Sequence, residues 1–156
     1  MAVVAAALTM ASTASPWSRQ ATLEQRATTL TGLPTPIVCE TAFEHAQGVK
    51  AGGTAYYGFT LATNPRLVVL APSVCRLLRT ADRETPAFAF AVWVLAHELG
   101  HVVRATNDET VAECYAMERW AQLAARLGLA APTPDQVARV AAGHDALPAR
   151  YRRACS

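Results

Sequence analysis

The chain predicts an α+β domain: a small sheet of about three strands packed on a long helix and the helical hairpin that the helix begins. Three observations carry this. Short β-branched or aromatic runs, "TPIVCE", "GTAYYGFT" and "RLVVLAP", lie between residues 35 and 72, punctuated by Pro and Gly. A long apolar segment, "TPAFAFAVWVLAHELGHVVRA", follows them. A tight polar turn, "TND", then leads into "ETVAECYAMERWAQLAARLG", a second helical pattern stopped by Gly128. At 156 residues there is room for one domain with a real core and not for two of ordinary size. The expected division is a leader over 1–15 and a single domain over 16–156.

In chain order, "MAVVAAALTMASTASPW" is a short apolar run ending in small residues, with Ser12 and Ala14 placed as a cleavage signal. It reads as a bacterial export signal lacking the usual basic start, with a plain Ala-rich helix as the alternative, and the export reading makes the expected location extracellular. No stretch is expected to reach the length of a membrane span. "SRQATLEQRATTLTG" puts Leu23, Ala27 and Leu30 on one helical face and stops at Gly32. The three strand runs come next, and then "SVCRLLRTA" as a short helix. The long helix takes Thr85 as N-cap and Pro86 in its first turn. Being apolar nearly all round, it belongs in the core. A last helix runs from about Pro134 to Ala142, with "GHD" in an irregular tail.

Net charge is only +2, and the 13 arginines are scattered against 12 acids with no basic block, which argues against nucleic acid as a partner. Four cysteines, an even number in an exported chain, suggest two disulfides. Three connectivities are open. The local reading joins Cys39 to Cys75, since one leaves a strand and the other opens a helix beside it, and so joins Cys114 to Cys155.

The chemistry concentrates in "HELGHVVRATNDETVAECYAMERW", residues 97–120. His97 and His101, four apart on a helix, project from one face and can bind one zinc ion at about 2.0–2.1 Å. Glu98 sits one residue further round, where a base would take a proton from water activated by the metal. Gly100 is expected to keep the open position free of bulk. Two histidines and a glutamate at the end of an apolar helix would be costly without polar partners, and a metal with a carboxylate ligand supplies them.

The third ligand is a choice between Glu113 and Glu109. In a hairpin turning near residue 106, a metal level with residue 99 lies about 10 Å down the first helix, which puts 113 opposite. Glu109 has a structural role available in a T-x-x-E capping box with Thr106, or in an ion pair with Arg104. Helix geometry therefore favours Glu113, with Glu109 as the alternative and Cys114 behind both. His144, Asp145, Tyr115 and Tyr151 are the polar groups available to steady an oxyanion, with His144 and Tyr151 foremost. His45 has no partner spacing and is expected to be exposed. Trp93 is expected in the core, and Trp120 between the last helices. "RLVVLAP" or "TAYYGFT" could offer an edge for an extended peptide.

HELGH followed by a glutamate on the next helix resembles the gluzincin type of zinc metallopeptidase, in which two histidines and the downstream glutamate bind zinc and the motif glutamate is the base. The E-x-x-A-E-C-Y-A run at 109–116 is also similar to the E-x-x-A-[DN]-x-F-A run of the ImmA/IrrE minimal gluzincins. That register implies Glu109 as ligand and Glu113 as the group that orients a histidine. The departure is the short connection between His101 and the glutamate. HE-x-x-H, DE-x-x-AEC and a late Y-x-x-x-C also look like small exported actinobacterial proteins.

The resemblance implies a minimal zincin-like fold, one Zn2+ and hydrolysis of a peptide or protein substrate. The alternative is a zincin-like module that keeps its metal for partner binding or stability without catalysis.

Overall fold

The computed structural model describes residues 18–52, 56–61, 63–79, 84–126, 129, 131–145 and 155. The leader over 1–15 and Tyr151 lie outside the described residues. The elements are β1 (Ser18–Arg19), α1 (Ala21–Thr31), β2 (Ile37–Cys39), α2 (Ala42–Gly52), β3 (Gly58–Leu61), β4 (Asn64–Leu70), α3 (Pro72–Arg79), α4 (Pro86–Arg104), α5 (Glu109–Arg126) and α6 (Pro134–Asp145). This is an α+β arrangement, mostly helical, around a four-stranded mixed sheet of order β1-β2-β4-β3. β2 and β4 run parallel, while β1 on β2 and β3 on β4 are antiparallel. "RLVVLAP" is therefore an inner strand, and β3 is an edge.

The expected helix ends are present. α1 stops at Gly32, whose positive φ of 68° closes the helix with a 2.9 Å bond from its N–H to the Thr28 carbonyl. α4 begins at Thr85, whose hydroxyl accepts from the Phe88 N–H at 3.2 Å, with Pro86 behind it. Both disulfides follow the local reading, Cys39 with Cys75 and Cys114 with Cys155. Such bonds fit an oxidising compartment.

Three expectations are corrected. Residues 42–52, for which the sequence predicts no element, form α2. Its N-terminus is a reciprocal cap: Thr41 N–H and hydroxyl both reach Glu44, whose own N–H donates back to the Thr41 hydroxyl. His45 is consequently half-buried, and its Nδ1 lies 3.1 Å from a carboxyl oxygen of buried Glu40, which also accepts from the Tyr56 hydroxyl at 2.9 Å. Second, α6 continues through Asp145, so "GHD" is helical. Gln136 anchors α6 by donating to the Glu84 and Thr85 carbonyls at the start of α4. Third, α4 is long and apolar enough to cross a membrane by length and composition alone, but 72% of that window is buried inside the fold, as a core helix is.

α4 carries the core. Its residues Phe88, Ala91, Val92, Leu95, Ala96 and Leu99 are buried, and the helix packs on β3, β4, α3, α5 and α6. Trp120 is buried from α5, and Trp93, half-buried, packs against the same core.

The α4–α5 contact decides the geometry of everything that follows. A Cβ at Gly100 would meet the Ala112 carbonyl oxygen at 2.8 Å and its Cα at 3.0 Å, so the two backbones touch here. The glycine serves helix packing, and the expectation that it clears an open coordination position is corrected accordingly. Gly100→Ala is expected to destabilise the metal-free chain by about 1–3 kcal/mol through overpacking, despite alanine's better helix propensity. A denaturant midpoint equal to or above the parent's would show that the helices do not meet at this point.

Candidate metal centre

His97 and His101 both lie on the stripe of α4 that faces the first turn of α5. Each imidazole is held by its inner nitrogen. His101 Nδ1 lies 2.9 Å from the Thr106 carbonyl oxygen, which can only accept, so the proton is on Nδ1. His97 Nδ1 lies 3.0 Å from an oxygen of Glu113, a side chain 1% exposed at the α4–α5 seam. The Nε2 atoms are thereby left to face Glu109. One oxygen of Glu109 is 3.0 Å from His97 Nε2 and 3.7 Å from His101 Nε2.

His97, His101 and Glu109 form a group whose ligand atoms lie within 4.8 Å of one another and which could hold a metal ion. A tetrahedral ion with bonds of about 2.0–2.1 Å needs ligand atoms roughly 3.3 Å apart. The two separations straddle that value.

The expectation that Glu113 faces both Nε2 atoms is not what the structure holds. The level was sound: contact of Gly100 with Ala112 puts Glu113 opposite Leu99, the height at which a shared ion would sit. The face was not. At that height the side chain of Glu113 lies in the seam and meets the inner nitrogen of His97. Glu109, one turn nearer the hairpin on the same stripe and 47% exposed, meets the outer nitrogens from the rim.

The capping box that was to occupy Glu109 does not form either. Asp108 caps α5 instead, its carboxyl accepting from the Thr110 N–H at 2.8 Å, while the Thr106 hydroxyl accepts from the Asp108 N–H at 3.0 Å. The helix starts late, so Glu109 is its first residue and is free to turn toward α4. Arg104 does not pair with it but lies over the Tyr115 ring, 5.8 Å from the centroid. Cys114 is bonded to Cys155 and offers no thiolate.

Glu98 lies beneath β3. It is 4% exposed, and a Cβ at Gly58 would stand 2.9 Å from its Cγ and one carboxyl oxygen. Its other oxygen is buried without a hydrogen-bond partner among the described residues, an acceptor left open beside the two histidines. Burial pushes the Glu98 carboxyl up to about 7 against the pull of His97 and His101.

In the metal-free state a proton does what a cation would. Burial alone would push His97 down, but bonds to Glu109 and Glu113 outweigh it and raise the imidazole to about 9, while His101 is also raised. Bonds from His101 and His97 hold the Glu109 carboxyl well below the usual range. His97 is raised from 6.5, so its contribution to stability is full below pH 6.5 and is lost as pH climbs through 9. Thermal midpoints of metal-free protein are expected to fall across pH 6.5–9, with a flatter profile once a metal has displaced the proton. Parallel profiles for the two forms would show that the metal does not sit at these imidazoles.

Of the other groups named from sequence, Tyr115 packs its Cβ toward Gly100. The side chains of His144 and Asp145, like Tyr151 entirely, are outside the described residues. An aromatic row that was not anticipated runs along α4 into the site. Tyr57 meets Phe90 edge-on at 4.9 Å, Phe90 stacks on Trp93 at 5.6 Å, and Trp93 lies 5.9 Å from His97. Its i, i+3, i+7 spacing from Phe90 to His97 was legible in the sequence. No family model, curated protein or solved structure matches the chain.

Proposed function

We propose that the chain is a zinc metallopeptidase of the gluzincin type, exported and working outside the cell. The observation that carries this is the orientation of the two histidines. Each gives its Nδ1–H to a fixed acceptor, so both Nε2 lone pairs point to one place that an anionic oxygen of Glu109 shares. Three electron donors converging there call for a cation. The ligands would be His97, His101 and Glu109, with Glu113 fixing the ring of His97. A nitrogen and oxygen donor set of this kind suits zinc.

When bound, zinc lowers the pKa of water and polarises a carbonyl. The chain's own contribution is Glu98, whose open carboxyl oxygen, next to the histidines, would take a proton and hand it to the leaving amine. β3, an edge strand passing over Glu98, offers main-chain groups along which an extended peptide could lie.

Protein prepared without chelators is expected to carry about one equivalent of zinc and to cleave an unstructured protein substrate, with cleavage lost on chelation and restored by zinc. Metal content below a tenth of an equivalent would sink the proposal. A second reading, a zincin-like module that holds its metal for stability or partner binding, is favoured by the enclosure of Glu98, only 4% exposed beneath β3. Full zinc occupancy with no cleavage of any unstructured substrate would decide for it.

A further inference from the structure

We infer that a concavity on the flank of α5 is a second binding site, for a phosphate group or a like tetrahedral oxyanion. The hollow, of about 270 Å³, lies between the end of α4, one face of α5 and Leu30 of α1. Tyr115, Arg119, Gln122 and Arg126 stand at i, i+4, i+7 and i+11 and so line it from a single helix face. Arg104 closes it from the last turn of α4.

Three arginines therefore line one hollow, and among the described residues no acidic side chain lines it and no ion pair to any of the three is present. Arg19, by contrast, rests on Glu24. Two of the three arginines end helices, where positive charge offsets the macrodipole. That account does not cover Arg119 in the middle of α5, nor the convergence of all three. The fields of Arg119, Arg104 and Arg126 all fall on the Tyr115 hydroxyl, opposing the rise that its burial causes.

The lining suits a compact anion with several acceptor oxygens. Guanidinium groups bring forked donors and no acceptor, and the amide of Gln122 and the hydroxyl of Tyr115 add further donors. A dianion relieves the mutual repulsion of three positive charges better than a single carboxylate does. The Tyr115 side of the hollow is held in place. Arg104 is laid over the Tyr115 ring, Tyr115 packs on the Gly100–Ala112 contact, and Cys114, next in sequence, is tied to Cys155. It is independent of the proposed metal chemistry.

The test is a titration of 15N-labelled full chain with inorganic phosphate, at ionic strength held constant with chloride, read on arginine side-chain N–H signals. Saturable shifts with a Kd below about 1 mM are expected. Binding should weaken by at least about tenfold in an Arg119→Ala, Arg126→Ala double variant, and acetate should not reproduce it. The double variant leaves His97, His101 and Glu109 intact, so phosphate binding that persists in it belongs to the metal centre and overturns the inference. Unsaturable shifts, or equal effects from acetate, also overturn it. A parallel arm measures sedimentation with phosphatidylglycerol vesicles, and vesicle binding without saturable phosphate binding would mean a membrane-facing basic surface and not a phosphate site.

Discussion

Glu109→Ala is expected to remove far more zinc affinity than Glu113→Gln, measured by competition with a chromophoric chelator on folded protein. The first change deletes a donor atom that lies 3.0 and 3.7 Å from the two Nε2 atoms. The second leaves an oxygen able to accept from His97 Nδ1 and changes only the charge behind the ring. Removal of such an orienting partner weakens metal binding by about 10–100-fold, and loss of the ligand itself should exceed that. Glu109 is also nearly half exposed at the start of α5, so its loss should leave the fold intact, whereas Glu113 is fully buried. Near-ultraviolet dichroism of both variants separates lost metal from lost packing. Zinc retained by Glu109→Ala and lost by a folded Glu113→Gln would reverse the assignment and restore the ligand that helix geometry alone favours.

Glu98→Gln should abolish hydrolysis while keeping the metal. Glutamine fills the same space beneath Gly58, where a larger side chain would collide with β3, so the helix and both histidines should stay where they are. It cannot accept and return a proton. Loss of a positioned general base costs about 10²–10⁴-fold in rate, and zinc content should remain that of the parent. Cleavage at the parent's rate by zinc-loaded Glu98→Gln would rule out Glu98 as the base and leave the ligand set untouched.

The local features were legible because they depend on neighbours in the chain. Thr85 and Pro86 start α4, Gly32 stops α1, and the apolar pattern of 86–104 marks a helix that must be buried. α2 was missed although "TAFE" at 41–44 is a cap of the kind sought at Thr106. Its helix has a weak apolar face, and Gly48 sits inside it. A Cβ at Gly48 would strike the Tyr56 hydroxyl, so tertiary contact and not propensity sets that residue.

At the candidate metal centre, spacing by itself determined that His97 and His101 share a face and that Glu98 lies beside them, since a helix repeats every 3.6 residues. Which glutamate joins them was decided only in the folded structure. The backbone contact of Gly100 with Ala112 fixes the register of α5 against α4, and the Asp108 cap sets where α5 begins. Those two events turn Glu109 to the outer nitrogens and Glu113 to the inner one. Neither the closeness of two helix backbones nor the choice between two neighbouring caps is encoded in residue spacing, because each depends on how the hairpin packs on the rest of the core.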